Sequence, residues 1–394
     1  MRPRKLVPVA AGLTLLLAAA ACTSSGSTTD NSAPAPKASG AALSLKGVCP
    51  DTVVIQTDWF PESEYGHLYQ LLGPGYKVDK KKKVLSGPLV ASGQDTGVKV
   101  EIRTGGPAIG YQTVTAQMYA DKSITLGQVN TDEAIANSKS QPTLAVMAPL
   151  EISPLMILWG TKAHPDFNTI ADIGQTDTKI LYYQVDAYAQ YLIGAGLVRA
   201  SQMDGSYDGT PSRFVASKGQ IANAGFATSE PYIFKNELPK GQQGFDTHLQ
   251  LINDTGYPMY SEALSIRADD KDKLAPCLKK LVPIIQQSSV DFINKPQATN
   301  QLVIKAVQDI HDFWTYSPGM ADYAVTTLKN LGLVSNGPDK TLGNIQDSRV
   351  QRMIEILKPI YATQNKQIKA DLKPSDIYTN EFINPAIGLA ASAK

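Results

Sequence analysis

Cysteine, histidine and tryptophan are scarce in this chain: 394 residues hold three Cys, four His and three Trp. So few cysteines exclude a disulfide-dense scaffold, and His67, His164, His248 and His311 have no metal-ligand spacing. Net charge is lacking too. With 37 Lys+Arg against 36 Asp+Glu the formal charge is +1, which supplies no field to hold a polyanion, so nucleic acid is not the expected partner. The 30 Gly and 25 Pro are scattered rather than periodic, which excludes a collagen-like fibre. Catalytic signatures are missing: no G-x-S-x-G, H-E-x-x-H or G-x-x-x-x-G-K-[ST] occurs. No catalytic residue, metal or cofactor is expected, and the chain is read as a non-enzyme. Gly194-Ala195-Gly196 starts like a dinucleotide fingerprint but has Arg199 at the third glycine, and Asp204 to Gly209 imitates half a calcium loop with Val215 in place of its glutamate.

The one long apolar run, Leu6 to Ala21, is shorter than the ~20 residues a membrane span needs. It follows Arg2, Arg4 and Lys5 and ends in Ala19-Ala20-Ala21-Cys22, which resembles a bacterial lipobox with Ala where Leu is usual. Residues 1–21 are therefore expected to be a lipoprotein signal peptide, with Cys22 lipidated and the protein anchored at the extracytoplasmic face of the cell membrane. Losing the leader removes three positive charges and leaves −2. Ser, Thr, Pro, Ala and Gly then dominate Thr23 to Ala42, too few bulky apolar groups to offset ordering entropy. Residues 22–48 are expected to be a flexible tether. The remaining cysteines, Cys49 and Cys277, are read as one long-range disulfide, against the alternative of two free buried thiols.

From Thr52 onward strands and helices alternate. Strands are expected at 53–57, 97–103, 124–129, 144–147, 155–159, 179–184, 219–228, 249–251 and 260–266, with helices near 62–72, 108–121 and 187–195 and a helical third from Lys271. Tyr76 to Val90 reads as a surface hairpin whose run Lys80–Lys83 is a solvated turn. The rhythm implies an α/β protein of two domains, the second inserted in the first: domain 1 from 49–155 and 258–394, domain 2 from 156–257. Ligands in such sheets collect beyond the carboxyl ends of strands. Asp58-Trp59, Gly105-Gly106, Asn130-Thr131, Tyr183 and Glu230 follow expected strands, and Tyr65 and Tyr232 lie close behind. Gly105 and Gly106 would offer backbone N–H groups to an acidic group. Asn130 and Thr131 would cap their helix in preference to binding, and Trp59 with Tyr183 or Tyr232 would sandwich a flat ring.

Asp58-Trp59-Phe60-Pro61 with Tyr65, Gly105-Gly106-Pro107, Gly219 to Gly225 and Ser229-Glu230-Pro231-Tyr232 together resemble the solute-binding proteins of ABC transporters in the NMT1/THI5-like group. That group is related to nitrate-, sulfonate- and taurine-binding components and to binders of thiamine-pyrimidine precursors. The resemblance implies a type II periplasmic-binding-protein (Venus flytrap) fold, a small-molecule ligand held by hinge closure, an ABC permease as partner and a monomer. The pyrimidine binders usually have a histidine four residues after the proline, where this chain has Tyr65, and the cysteine-rich motif of the related pyrimidine synthases is absent, so synthase activity is not expected. Glu230 favours a neutral or zwitterionic ring compound. The alternatives are an anion of the nitrate, sulfonate or taurine type, or an extracytoplasmic enzyme using the same cleft.

Overall fold

The computed structural model describes residues 43–390 apart from 185 and 243. The leader, Cys22 and the first part of the expected tether lie outside the described residues. The tether ends earlier than expected: Leu45 is fully buried and its N–H donates to the Thr96 carbonyl at 2.9 Å.

Among the described residues twelve strands form two sheets: β1 (Thr52–Gln56), β2 (Lys77–Asp79), β3 (Val84–Ala91), β4 (Gln94–Arg103), β5 (Leu126–Val129), β6 (Thr143–Met147), β7 (Leu155–Gly160), β8 (Ile180–Leu181), β9 (Met203–Asp204), β10 (Ala222–Phe226), β11 (Thr247–Leu251) and β12 (Ala263–Arg267). The first sheet runs β2-β3-β4-β1-β5-β12-β6 and the second β11-β7-β10-β8-β9. In the first, β1 lies parallel to β4 and β5 while β12 is antiparallel to β5 and β6. In the second, β8 lies parallel to β9 and β10 while β7 is antiparallel to β10 and β11. The same five-strand plan thus occurs twice. In each case the antiparallel strand is the first one formed after the chain crosses from the other lobe.

Apolar runs account for this layering. Val53 and Ile55 enter one core and Val54 the other, so β1 is buried on both faces and shows no polar alternation. Helices Lys271–Asn294, Gln297–Ile310 and Pro318–Asn330 cover one side of the first sheet, and Asp347–Thr363 contributes to the core on the other. Cys49, just before β1, is bonded to Cys277 in helix Lys271–Asn294, with Cα atoms 4.6 Å apart. Both belong to the first lobe, so the bond does not tie the lobes together.

Several elements are shorter than expected. The stretch 62–72 is a 3-10 turn, Ser63–Tyr65, and one helical turn, Gly66–Tyr69. The segment 108–121 splits into Gly106–Ile109 and a helix Val114–Ala120 capped by Thr113, whose hydroxyl accepts the Ala116 N–H. Strand 179–184 shrinks to Ile180–Leu181. The hairpin is present as β2 and β3, but Lys83 is more than a solvated turn residue: its ammonium pairs with Asp312 at 2.5 Å and lies 5.7 Å from the Phe60 ring centre. Asp204 ends strand β9 and pairs with Arg213 at 2.8 Å.

Candidate functional site

The two crossings, residues 148–154 and 252–262, are joined to each other and to the first lobe. The Ser153 and Ser261 hydroxyls lie 2.6 Å apart, and Arg349 packs on the Tyr260 ring at 3.7 Å while pairing with Glu151 at 2.9 Å. Asn130 and Thr131 have work here that the sequence did not reveal. Asn130 Oδ1 accepts the Glu262 N–H at 2.8 Å and makes no side-chain cap, and the Thr131 hydroxyl exchanges hydrogen bonds with the Tyr260 backbone at 3.2 Å. The capping expectation is corrected: both side chains pin the return crossing.

The loop after β1 begins the site. Gly105 and Gly106 support it from beneath, since the Gly105 N–H donates to the Trp59 carbonyl at 3.0 Å and is thereby engaged. Gly106 has φ +56°, and a Cβ there would lie 2.5 Å from Trp59 Cε3, so only glycine lets the turn lie flat against the indole. Trp59 is ringed by Phe60, Tyr111, Tyr183, Phe313 and Trp314, with centroids 6.0–6.5 Å away. Tyr183 belongs to the second lobe and meets Trp59 edge-on at 6.5 Å. Tyr232 is not in this group, because its ring packs on Tyr323 at 5.4 Å. Tyr111 and Phe313 are exposed and were not legible as site residues, since neither follows a strand.

Behind the rings lie carboxyl groups. Asp58 Oδ1 accepts the Tyr65 hydroxyl at 2.7 Å, and Asp58 N–H donates to Gln128 Oε1 at 3.2 Å. Burial raises the Asp58 carboxyl to about 6 despite the Tyr65 bond. Glu62 and Glu64 follow in the next turn and Glu262 comes from the return crossing, all three buried. Desolvation, then mutual repulsion with Asp58 and one another, holds all three well above the usual carboxylate range. From the second lobe, Glu230 folds back over Gly225, where any Cβ would strike its carboxyl at 2.3 Å. It accepts the Phe226 N–H and the Ser229 hydroxyl at 2.7 Å and the Tyr207 hydroxyl at 3.3 Å, while burial pushes its pKa up.

A second acidic pair spans the lobes. Asp186, after β8, is raised to about 8 by burial and then by the charge of Asp132, and Asp132 is itself raised by burial. Glu62, Glu64, Glu262, Asp132 and Asp186 are the site-facing groups that sequence reasoning missed. Glu62 and Glu64 look like solvent-facing acids opening a helix after Pro61, and their flanks Trp59-Phe60 and Leu68-Tyr69 were the signal that the segment is buried.

No protein-family model matches the chain, and no curated protein matches it. Solved structures do. The alkanesulfonate-binding protein SsuA from Xanthomonas axonopodis pv. citri, bound to MOPS, aligns over 84% of this chain and 99% of its own at 13% identity, TM-score 0.52. The nitrate-binding protein NrtA from Synechocystis PCC 6803 aligns over 84% and 87% at 11% identity, TM-score 0.52. A zinc-bound ligand-binding component of an ABC-type import system from Staphylococcus aureus aligns over 84% and 97% at 14% identity, TM-score 0.52. At such identities the likeness is one of architecture, and it agrees with the doubled strand plan: this chain has the two-lobed α/β fold of the type II periplasmic binding proteins.

Proposed function

We propose that the chain is an extracytoplasmic solute-binding lipoprotein, anchored through Cys22, that delivers a small molecule with an aromatic or heterocyclic ring to an ABC permease. The observation that supports this reading most is the contact of Trp59, from the loop after β1, with Tyr183, from the corresponding loop of the other lobe. A ring held there would touch both lobes at once, and a ligand with contacts on both sides favours the closed form over the open one. On this reading residues 156–257 move as one body against 49–155 and 258–394, the crossings serve as the hinge, and the protein acts as a monomer. Asp58, Tyr65, Glu230 and Gly106 would shape the pocket around Trp59, and no step of chemistry is required.

Small-angle scattering and tryptophan fluorescence across pyrimidines, flavin fragments, taurine and nitrate test this. A ring compound should shrink the radius of gyration and quench Trp59, and Trp59→Ala should weaken it by roughly 1–3 kcal/mol through lost stacking and burial. Binding of nitrate or taurine alone, indifferent to Glu230→Gln, would sink the ring assignment.

A further inference from the structure

The carboxyls behind the rings have hydrogen-bond donors at Asp58 and Glu230 but no cationic partner among the described residues. Asp58, Glu62, Glu64 and Glu262 of one lobe and Glu230 of the other influence one another's ionisation. Among the described residues, the ion pairs of this protein leave all five out. Glu262 is 1% exposed and stands at φ +56° in the return crossing; its carboxyl shares a hydrogen bond with that of Glu64, and no other donor reaches its oxygens or Glu64 Oε2. Gln128, also 1% exposed, gives its Oε1 to the Asp58 N–H, which leaves its Nε2 beside Asp58 without an acceptor. Buried polar atoms are nearly always satisfied, and buried charge is matched by opposite charge.

We infer that the ligand carries a cationic nitrogen, an ammonium, amidinium or guanidinium, that reaches past the Trp59–Tyr183 rings into the carboxyls of Asp58, Glu62, Glu230 and Glu262. The inference rests on the reading above that the cleft between the lobes takes a small molecule. Acceptor-only oxygens are what an N–H cation bonds, and the faces of Trp59, Tyr111 and Tyr183 attract positive charge. A hydroxyl or amide acceptor on the same ligand would engage Gln128 Nε2. No group of three or more His, Cys, Asp or Glu among the described residues could hold a metal ion, which favours an organic cation over a divalent metal. The arrangement also explains closure. Bringing Glu230 toward Asp58 and Glu62, and Asp186 toward Asp132, sets like charges together, and a cation entering between the lobes turns that repulsion into attraction.

The test is calorimetry and scattering on the mature full-length protein at pH 8 with benzylammonium, benzyl alcohol, benzoate and zinc chloride. Benzylammonium should bind at least about tenfold more tightly than benzyl alcohol and compact the protein. Glu62→Gln and Glu262→Gln should each reduce that ratio below about threefold while raising the melting temperature of the ligand-free protein, because each removes a buried unpaired charge. A variant that loses ligand and also melts lower would place the carboxyl in a structural role and overturn the assignment. Equal or tighter binding of benzyl alcohol or benzoate, or closure by zinc, would overturn the cation and leave the binding function standing. Compaction by none of the four would overturn both.

Discussion

Raising the pH from 5 to 8 without ligand should destabilise this protein. Asp58 at about 6, Glu133 at about 7 and Asp186 at about 8 all have folded pKa values above their ordinary ones, burial being the largest cause in each. A carboxyl with a raised folded pKa binds more protons folded than unfolded, so stability falls as pH climbs toward that value. His67 opposes this: burial lowers it to about 4, so its neutral folded form gains stability up to the unfolded pKa near 6.5. At ~1.4 kcal/mol per pH unit, Asp58 loses ~1 kcal/mol over the interval, Glu133 ~3 and Asp186 ~4, while His67 returns ~2. Asp58, Glu133 and Asp186 are not fully enclosed, so screening trims the net to roughly 3–6 kcal/mol. For a chain of this length that is a fall in melting temperature of about 5 °C or more. Glu62, Glu64 and Glu262 act in the same direction. Asp121 and Asp204, held at about 2, lose their contribution only at lower pH. Differential scanning calorimetry at fixed ionic strength measures the effect, and a melting temperature that is flat or rises from pH 5 to 8 would refute the argument.

Replacing both Cys49 and Cys277 by Ser opens a loop spanning 228 positions and should cost about 5 kcal/mol by chain entropy; chemical denaturation would show it, and affinity for the ligand should stay unchanged because the bond lies within one lobe. Gly106→Val should displace the indole, costing about 1–3 kcal/mol for the overpacking with further strain from the left-handed backbone, and a red-shifted Trp emission spectrum would report it. Cys22→Ser should release the protein from the membrane fraction; retention with an uncut leader would point to an N-terminal anchor.

Elements whose burial pattern is local were legible in the sequence, and those whose pattern depends on distant partners were not. Val53-Val54-Ile55 could only be a strand buried on both faces, and the apolar spacing after Lys271 announced the long helices. Strand β8 was overextended because Tyr182, Tyr183 and Gln184 have strand-like composition, while beyond Leu181 the pairing continues only as an isolated bridge from Tyr183 to Ser206, from which the Tyr183 ring meets Trp59. Asp58, Trp59 and Glu230 could be singled out as candidates because each follows a strand. Glu262 was invisible, since only the Asn130 bond that fixes its backbone and the opposing Glu64 give it a role. Asn130 and Thr131 occupy ordinary cap positions, and the competing partner lies about 130 residues away.

The doubled strand plan has a consequence for the order in which the chain can assemble. As the chain grows from its amino end, the second sheet can be completed from residues 155–251 alone. The first cannot, because β5 and β6 have no bond to each other and wait for β12 to enter between them. Until residues 263–267 arrive, both strands present raw edges that any stray strand could occupy. Cys277 arrives in the helix directly after that insertion, so oxidation of Cys49 to its native partner comes after the missing strand has been made, and a nascent chain stalled before residue 263 would hold one finished lobe and one that is still open.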